Sequence, residues 1–174
     1  MEENNRTITT LHNLLVYDAG KFTSAEIQLQ NSLQQWIPRA GSLKLKTVLQ
    51  KYLDFVQQHV QKMEDFFEEE KFGSLGLINR VMQALIEETN EKLSGCTDTE
   101  VKDACLLASV QAINHYKISM YGTAAAFANA LGMERQAAVF HAAEINEKQI
   151  DDRLSQLAEY EINIRAKAPI LLPG

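Results

Sequence analysis

The sequence predicts an all-α four-helix bundle with one additional short helix between the second and third long helices. Apolar residues recur at helical spacing along most of the chain, and alternating strand patterns are missing. Only 8 Gly and 3 Pro occur in 174 residues, so the helices have few interruptions. Helices of about 25–30 residues reach roughly 40 Å, and in a chain of this length they must pack side by side.

The first long helix is predicted up to the turn at Pro38 and Gly41, with Ser42 as the N-cap of the second. The second helix fades in the acidic run 68–70, expected to lie in water at the helix end, and stops at Gly73. Its apolar stripe comprises Leu45, Leu49, Tyr52, Val56, His59, Met63 and Phe66.

A short helix is predicted over residues 77–93, closed by Gly95. The third long helix should begin near Asp98 and break at Leu131-Gly132, and the last should begin near Met133. We expect the third long helix to turn small residues inward, namely Cys105, Ala108, Ala112, His115, Ser119 and Gly122. The last should bury Phe140, Ala143, Ile150, Leu154, Leu157 and Ile164.

The length and the balance of 45% hydrophobic and 23% charged residues predict one bundle domain over residues 1–168, followed by a flexible tail over 169–174. A net charge of −6 without a dense basic cluster argues against a nucleic-acid partner. We expect no signal peptide and no membrane-spanning segment. Cys96 and Cys105 are expected to be reduced thiols in a cytoplasmic protein, since a disulfide framework or zinc site needs more ligands.

Four polar residues fall on the inward stripes of the four long helices: Glu26, His59, His115 and Glu147. A buried carboxylate or imidazole is costly unless it is paired or binds a metal. Two Glu with two His would suit one iron, manganese or zinc ion. The favoured interpretation is a plain polar layer without metal. Either a small helix rotation puts Glu26 or Glu147 at a solvated boundary, or a buried Glu–His pair satisfies itself by hydrogen bonding.

Other polar residues give weaker signals. His141 and Glu144 share one face of the last helix, and we expect a surface pair. The sequence contains no nucleophile elbow and no glycine-rich phosphate loop, so nucleophilic catalysis has little support.

The segment Gln111–Thr123, with Asn114-His-Tyr-Lys-Ile-Ser-Met-Tyr-Gly-Thr at its centre, resembles the ferritin-like YciE/YciF stress-protein family. The similarity continues through Phe127–Gly132 and Glu147–Leu154, and weaker matches around Glu26 and over Met82–Glu88 extend it to about residues 10–165. The resemblance implies a ferritin-like bundle, which in this family is associated with metal-binding carboxylates and with homodimers.

The chain departs from the family at the positions where those carboxylates are expected. Phe55 and Gln58 stand where the second helix usually carries acidic and histidine ligands, and Asn114 and Lys117 replace two glutamates. Ile145 and Asn146 likewise precede Glu147, so Glu26 and Glu147 alone match. A pair of irons needs several bridging carboxylates to balance its charge, and a lysine adds repulsion. The sequence therefore predicts a degenerate di-iron site without ferroxidase activity.

Three functional hypotheses follow. The first is a stress-associated homodimer that is more plausibly not an enzyme, with no catalytic residues and no cofactor. The second is a rewired single-metal protein using Glu26, His59, His115 and Glu147. The third is a module that docks an unspecified protein partner through the short helix over residues 77–93.

Overall fold

The chain folds into a helical bundle, seen here in a computed structural model that describes residues 7–71 and 76–167. Its helices are α1 (Leu11–Trp36), α2 (Leu43–Glu69), α3 (Arg80–Gly95), α4 (Thr99–Ala130), α5 (Glu134–Leu157) and α6 (Asn163–Lys167). These described parts contain no strand, and none of their helices is long and apolar enough to cross a bilayer. The predicted all-α architecture, with a short helix between the second and third long helices, is confirmed.

Side-chain caps fix where four of the helices begin. In each, an oxygen of the residue before the helix accepts a hydrogen bond from a backbone N–H in the first turn, satisfying a group with no helical partner. The capping residues are Thr10 for α1, Ser42 for α2, Asn79 for α3 and Asp98 for α4. The predicted starts at Ser42 and Asp98 are confirmed, whereas α3 begins later than the predicted residue 77.

The helix directions follow from contacts at the bundle ends. The carboxylate of Asp103, near the start of α4, accepts hydrogen bonds of 2.8 Å from the backbone N–H groups of both Gly41 and Ser42, at the start of α2. Thus α2 and α4 run in the same direction, and the chain must return along the bundle between them. The segment containing α3 makes that return and packs on α1 and α4. One long crossover of this kind is a feature of ferritin-like bundles.

Close approach of the α1–α2 turn to the start of α4 depends on Gly41. A Cβ atom there would lie 2.6 Å from Cγ2 of Thr99 and 3.2 Å from Oδ2 of Asp103. Such distances are shorter than van der Waals contact, so a side chain would push the α1–α2 turn away from α4.

The predicted inner face of α4 is wrong. Ala108, Ala112, His115 and Ser119 are exposed. The helix is rotated so that its larger side chains are buried, because their exposure would cost more free energy than that of the alanines. The buried face includes Leu106, Val110, Ile113, Asn114, Lys117, Tyr121 and Ala124.

The last helix follows the prediction over most of its length. Phe140, Ala143, Ile150 and Leu154 are buried as expected, and so is Leu157. A π-helical turn over Ala158–Ile162 then shifts the register before α6. As a result Ile162 is buried and Ile164 is 61% exposed, which corrects the predicted burial of Ile164. The predicted end of α2 at Gly73 and the predicted tail over 169–174 lie outside the described residues.

Candidate functional site

Three of the four predicted polar residues meet in the centre of the bundle. Glu26 of α1 and Glu147 of α5 have no exposed surface, and His59 of α2 is 2% exposed. Nδ1 of His59 lies 3.6 Å from Oε1 of Glu26 and 3.6 Å from Oε1 of Glu147. These three residues form a polar layer in the core, as the favoured interpretation expected. The suggestion that either glutamate sits at a solvated boundary is wrong.

His115 does not belong to this group. Its side chain is 61% exposed, and its Nε2 atom lies 2.7 Å from Oδ1 of Asp151 on the surface of α5. Lys117 follows two positions later, roughly 200° further around α4, and it faces the core instead. The predicted four-residue ligand set is therefore incorrect at His115.

Lys117 occupies the centre of the polar layer. Its side chain is fully buried, and Nζ lies 3.0 Å from Oε2 of Glu26 and closer still to Oε1 of Glu147. The ammonium also sits over the ring of Tyr52, 4.7 Å from the ring centroid, where the π-electron face favours a cation. One fixed positive charge thus joins α4 to both α1 and α5.

The other carboxylate oxygens accept hydrogen bonds from neutral side chains. The hydroxyl of Tyr121 donates to Oε1 of Glu26 at 2.5 Å, and that of Tyr52 donates to Oε2 of Glu147 at 2.5 Å. The side-chain amide of Asn114 donates to the same Oε2 atom at 2.6 Å. We call these seven residues the core cluster: Glu26, Tyr52, His59, Asn114, Lys117, Tyr121 and Glu147.

The two ring nitrogens of His59 face different surroundings. Nε2 lies 3.3 Å from the side-chain amide nitrogen of Asn146, while Nδ1 faces the two carboxylates. With the amide as donor, Nε2 accepts and the proton resides on Nδ1, where it points towards the acids. The ring of Phe55 stacks on the imidazole with an interplanar angle of 9°, and the edge contact with Tyr121 further restricts its rotation.

Burial and charge pairing act against each other in this cluster. Burial disfavours the charged form of Glu26, but the Lys117 ammonium, the His59 imidazole and the Tyr121 hydroxyl outweigh it and hold the pKa of Glu26 below its usual value. Burial also disfavours the charged form of Lys117. The carboxylates of Glu147 and Glu26 nevertheless raise the pKa of Lys117 above its usual value.

The two tyrosines remain donors for related reasons. Burial and the adjacent Glu147 carboxylate raise the pKa of Tyr52 well above its usual value. Burial and the Glu26 carboxylate do the same for the pKa of Tyr121. Both hydroxyls are therefore protonated at neutral pH, and each can donate to its carboxylate.

As they stand, these residues do not fit a bound metal ion. Glu26, His59 and Glu147 could each offer one ligand atom, with all three atoms within 4.8 Å of one another. Iron, manganese or zinc would have to approach these atoms to about 2.0–2.3 Å, and the ammonium of Lys117 already contacts both carboxylates. Other carboxylate oxygens are engaged by Tyr52 and Tyr121.

The sequence pattern contained part of this arrangement. Lys117 lies between Ile113 and Tyr121 at intervals of four, so it shares a face with two large side chains that are both buried. A lysine between such neighbours is a usable sign of a buried cation. Tyr52 was expected on an inward stripe, but the partner of its hydroxyl could not be read from spacing.

The other predicted pair is where it was expected. His141 and Glu144 lie on the surface of α5, with Nδ1 of His141 3.3 Å from Oε2 of Glu144 and with the His141 side chain 61% exposed. Lys148 contacts the same carboxylate at 2.6 Å. The prediction of a surface pair is confirmed.

Three comparisons place the chain among known proteins. Residues 10–167 match the profile of a family described as a domain of unknown function, DUF892. Protein YciF of Escherichia coli is 29% identical over 159 residues, covering 91% of this chain and 96% of that protein.

Two solved structures have the same fold. The crystal structure of the E. coli stress protein YciF aligns with a TM-score of 0.84 at 28% identity, covering 90% of this chain and 99% of that one. YcfI, a candidate structural protein from Rhodopseudomonas palustris, aligns with a TM-score of 0.83 at 27% identity, covering 87% of this chain and 96% of that one.

Replacing Lys117 by Met should strongly destabilise the bundle, because the buried Glu26 and Glu147 carboxylates would lose their cation. The expected loss is about 3–5 kcal/mol in the free energy of unfolding, measured by urea denaturation at neutral pH. Lys148→Met is the matched control, since Lys148 pairs with a carboxylate at the surface. Its loss should stay below about 1 kcal/mol. Equal losses in the two variants would contradict the central role of Lys117.

The pH dependence of the free energy of unfolding should change sign in the same Lys117→Met variant. In the wild type, the lowered pKa of Glu26 gives stability that is present above the unfolded value of about 4.3 and is lost as the pH falls through the folded pKa. The raised pKa of Lys117 gives stability that is present below about 10.4 and is lost as the pH rises through the folded pKa.

In Lys117→Met, burial without the cation should raise the pKa of Glu26, so protonation of this carboxylate on acidification should favour the folded state. The stability gap to the wild type should therefore shrink as the pH falls from about 7 to about 4. Urea midpoints across this range test the expectation. A stability gap that widens or stays constant would show that this carboxylate does not dominate the loss of stability in Lys117→Met.

Proposed function

The chain belongs to the DUF892 family, and from this premise we propose that it is a stress-associated, non-enzymatic ferritin-like bundle without a di-iron centre or ferroxidase activity. The observation that supports this most is the position of the Lys117 ammonium, ion-paired with Glu26 and Glu147 in the middle of the bundle. A permanent cation there takes the electrostatic role that a bound metal would have.

Charge balance favours the same conclusion. Two ferrous ions bring four positive charges, and bundles that hold them surround them with several carboxylates. Within the described residues, the only three-residue group of possible metal ligands is Glu26, His59 and Glu147, with two carboxylates. Lys117 already compensates one of those two negative charges. A dinuclear centre would leave the buried site strongly positive.

The stress-associated and structural parts of the proposal come from relatives. E. coli YciF is described as a stress protein, and YcfI as a candidate structural protein. We extend both descriptions to this chain because a bundle with a metal-free core would contribute shape and contact surface rather than redox chemistry. We also propose that it acts in the cytoplasm.

The alternative function is a single-metal protein, and one observation favours it. Glu26, His59 and Glu147 could place three ligand atoms within 4.8 Å of one another, a number that can suffice for one divalent ion. This would require the Lys117 ammonium to withdraw from both carboxylates. His115 could not complete the set, since it lies on the surface beside Asp151.

Metal analysis separates the two functions. Wild-type protein purified without chelator should contain only substoichiometric iron, manganese or zinc and should not accelerate Fe²⁺ oxidation by O₂. Lys117→Ala should gain binding of one Co²⁺ ion, visible in its absorption spectrum, because the substitution frees both carboxylates beside His59. The control Lys117→Ala/His59→Ala should lose it, since a three-ligand site cannot spare one ligand.

Stoichiometric metal in the wild type that is lost in His59→Ala would establish the single-metal alternative. Two irons per chain with rapid Fe²⁺ oxidation would exclude the main proposal. Failure of folded Lys117→Ala to bind Co²⁺ would show that the lysine is not what keeps an ion out.

We further propose that the chain forms a homodimer, as the family resemblance implies. The exposed apolar side chains Ile27, Ile78 and Val81 offer contact area on the α1–α3 side of the bundle. Size-exclusion chromatography with light scattering should give twice the chain mass of 19.6 kDa. A mass of one chain at micromolar concentration would refute the dimer.

A further inference from the structure

A cavity of about 440 Å³ opens to solvent between α2 and α5. Natural small-molecule sites have volumes of roughly 300–1,000 Å³, so this cavity is large enough for a small organic ligand. Its walls come from residues 58–62 of α2 and residues 135–146 of α5. Lys117 is not among the lining residues, so the cavity is separate from the ion pairs at the centre of the bundle.

Contacts at two levels bring α2 and α5 together on either side of this space. At one level, the side-chain amide nitrogen of Asn146 lies 3.3 Å from Nε2 of His59. At the other, Nη2 of Arg135 lies 2.8 Å from Oε1 of Glu69. Between these contacts α5 faces α2 mainly with alanines, and their short side chains leave the gap unfilled.

The α5 wall of the cavity is apolar. It consists of Ala138, Val139, Ala142 and Ala143, which recur at helical spacing on one face. Ala138 and Ala142 are exposed, whereas Ala143 is 5% exposed. The apolar body of a ligand lying against this wall would remove its own surface and that of the alanines from water, which favours binding.

The charged groups in the lining are cationic. Lys62 from α2 and Arg135 from α5 both border the cavity, and none of its lining residues is acidic. Glu69 compensates the charge of Arg135, and together with Asp65 it lies around a separate, smaller cavity. Within the described parts of the chain, the Lys62 ammonium forms no ion pair with a carboxylate. One positive charge is therefore left facing the cavity, in a chain whose net charge is −6.

The innermost wall of the cavity includes His59, which is 2% exposed. Its Nε2 atom accepts from the Asn146 amide, and its Nδ1 proton points away, towards the two buried glutamates. An anion next to this imidazole would meet a lone pair that is already engaged instead of a proton. The charged group of a ligand is therefore expected away from His59, beside Lys62 and Arg135.

We propose that this cavity binds a small amphipathic monocarboxylate. Its carboxylate lies between Lys62 and Arg135, and its apolar body lies against the alanine wall of α5. The guanidinium fork of an arginine matches a carboxylate in geometry, and the lysine supplies the charge that Glu69 does not compensate. The single uncompensated charge suits a monoanion better than a doubly charged phosphate ester. The proposal rests on the α2–α5 surface and does not depend on the metal-free function.

Calorimetric titration of the full chain with three probes of equal chain length tests the proposal. One octanoate should bind per chain, at least about tenfold more tightly than 1-octanol, because the alcohol lacks the charge that pairs with the two cations. Octylammonium should not bind at this site, since its charge has the wrong sign. Added NaCl should weaken the binding of octanoate, because the two cations are exposed to solvent.

Substitutions at exposed positions locate the site without disturbing the core. Ala142→Leu should abolish octanoate binding by filling the gap, and leucine is nearly as good a helix former as alanine. Ala112→Leu, at an exposed alanine of α4, is its matched control and should bind as the wild type does. Lys62→Gln should weaken binding about tenfold. Its matched control is Lys148→Gln, since Lys148 pairs with Glu144 at the surface and does not line the cavity.

Three results would overturn the proposal. The first is a wild type that binds no octanoate at millimolar concentration. The second is equal affinity for octanoate and 1-octanol, which would leave an apolar surface without selectivity for an anion. The third is unchanged octanoate binding in folded Ala142→Leu, with circular dichroism as the check of folding. None of these results bears on the metal content of the core cluster, which is measured separately.

Discussion

The ion pairs between the Lys117 ammonium and the Glu26 and Glu147 carboxylates constrain the rest of this fold. Two buried acids facing each other across a bundle would repel and would each lack the solvation of water. Lys117, which comes from α4, removes both problems, since its charge lies between the two carboxylates. His59 on α2 contacts both acids, so the register of all four long helices is coupled through a single cluster.

Such coupling favours one packing arrangement of the helices over arrangements in which one helix is slightly shifted or rotated. Sliding or rotating α4 by one residue would move Lys117 out of the core and leave two carboxylates unpaired, whereas an apolar core tolerates small slips. The rotation of α4 illustrates this: the same setting that buries Ile113 and Tyr121 also buries Lys117. Hydrophobic burial and charge pairing thus select the same register.

Most of the architecture could be predicted from sequence because it rests on local signals. Apolar spacing predicted the order of the four long helices and the short one between them, but not the separate α6, and Ser42 and Asp98 marked two of the starts. The face of α4 could not be predicted from small residues, because alanines fit on either side while burial of larger side chains decides the rotation. For the site, Glu26, His59 and Glu147 were found as polar residues on apolar stripes. His115 was misplaced because this rotation was wrong, and Lys117 was taken for a repulsive charge rather than a partner.

The replacement of a metal by a lysine would change what a ferritin-like core can do. A bound iron exchanges electrons and ligands, whereas an ammonium offers only a fixed charge and hydrogen-bond donors. Because Lys117 is part of the chain, a metal-free core of the proposed kind would be complete as soon as the helices pack, and its assembly would not depend on metal supply. The weakness of such a core would also be different: protonation of the acids or loss of the lysine charge would uncouple the helices, whereas chelators would have nothing to remove. A bundle built in this way would be suited to keeping its shape when metal availability changes.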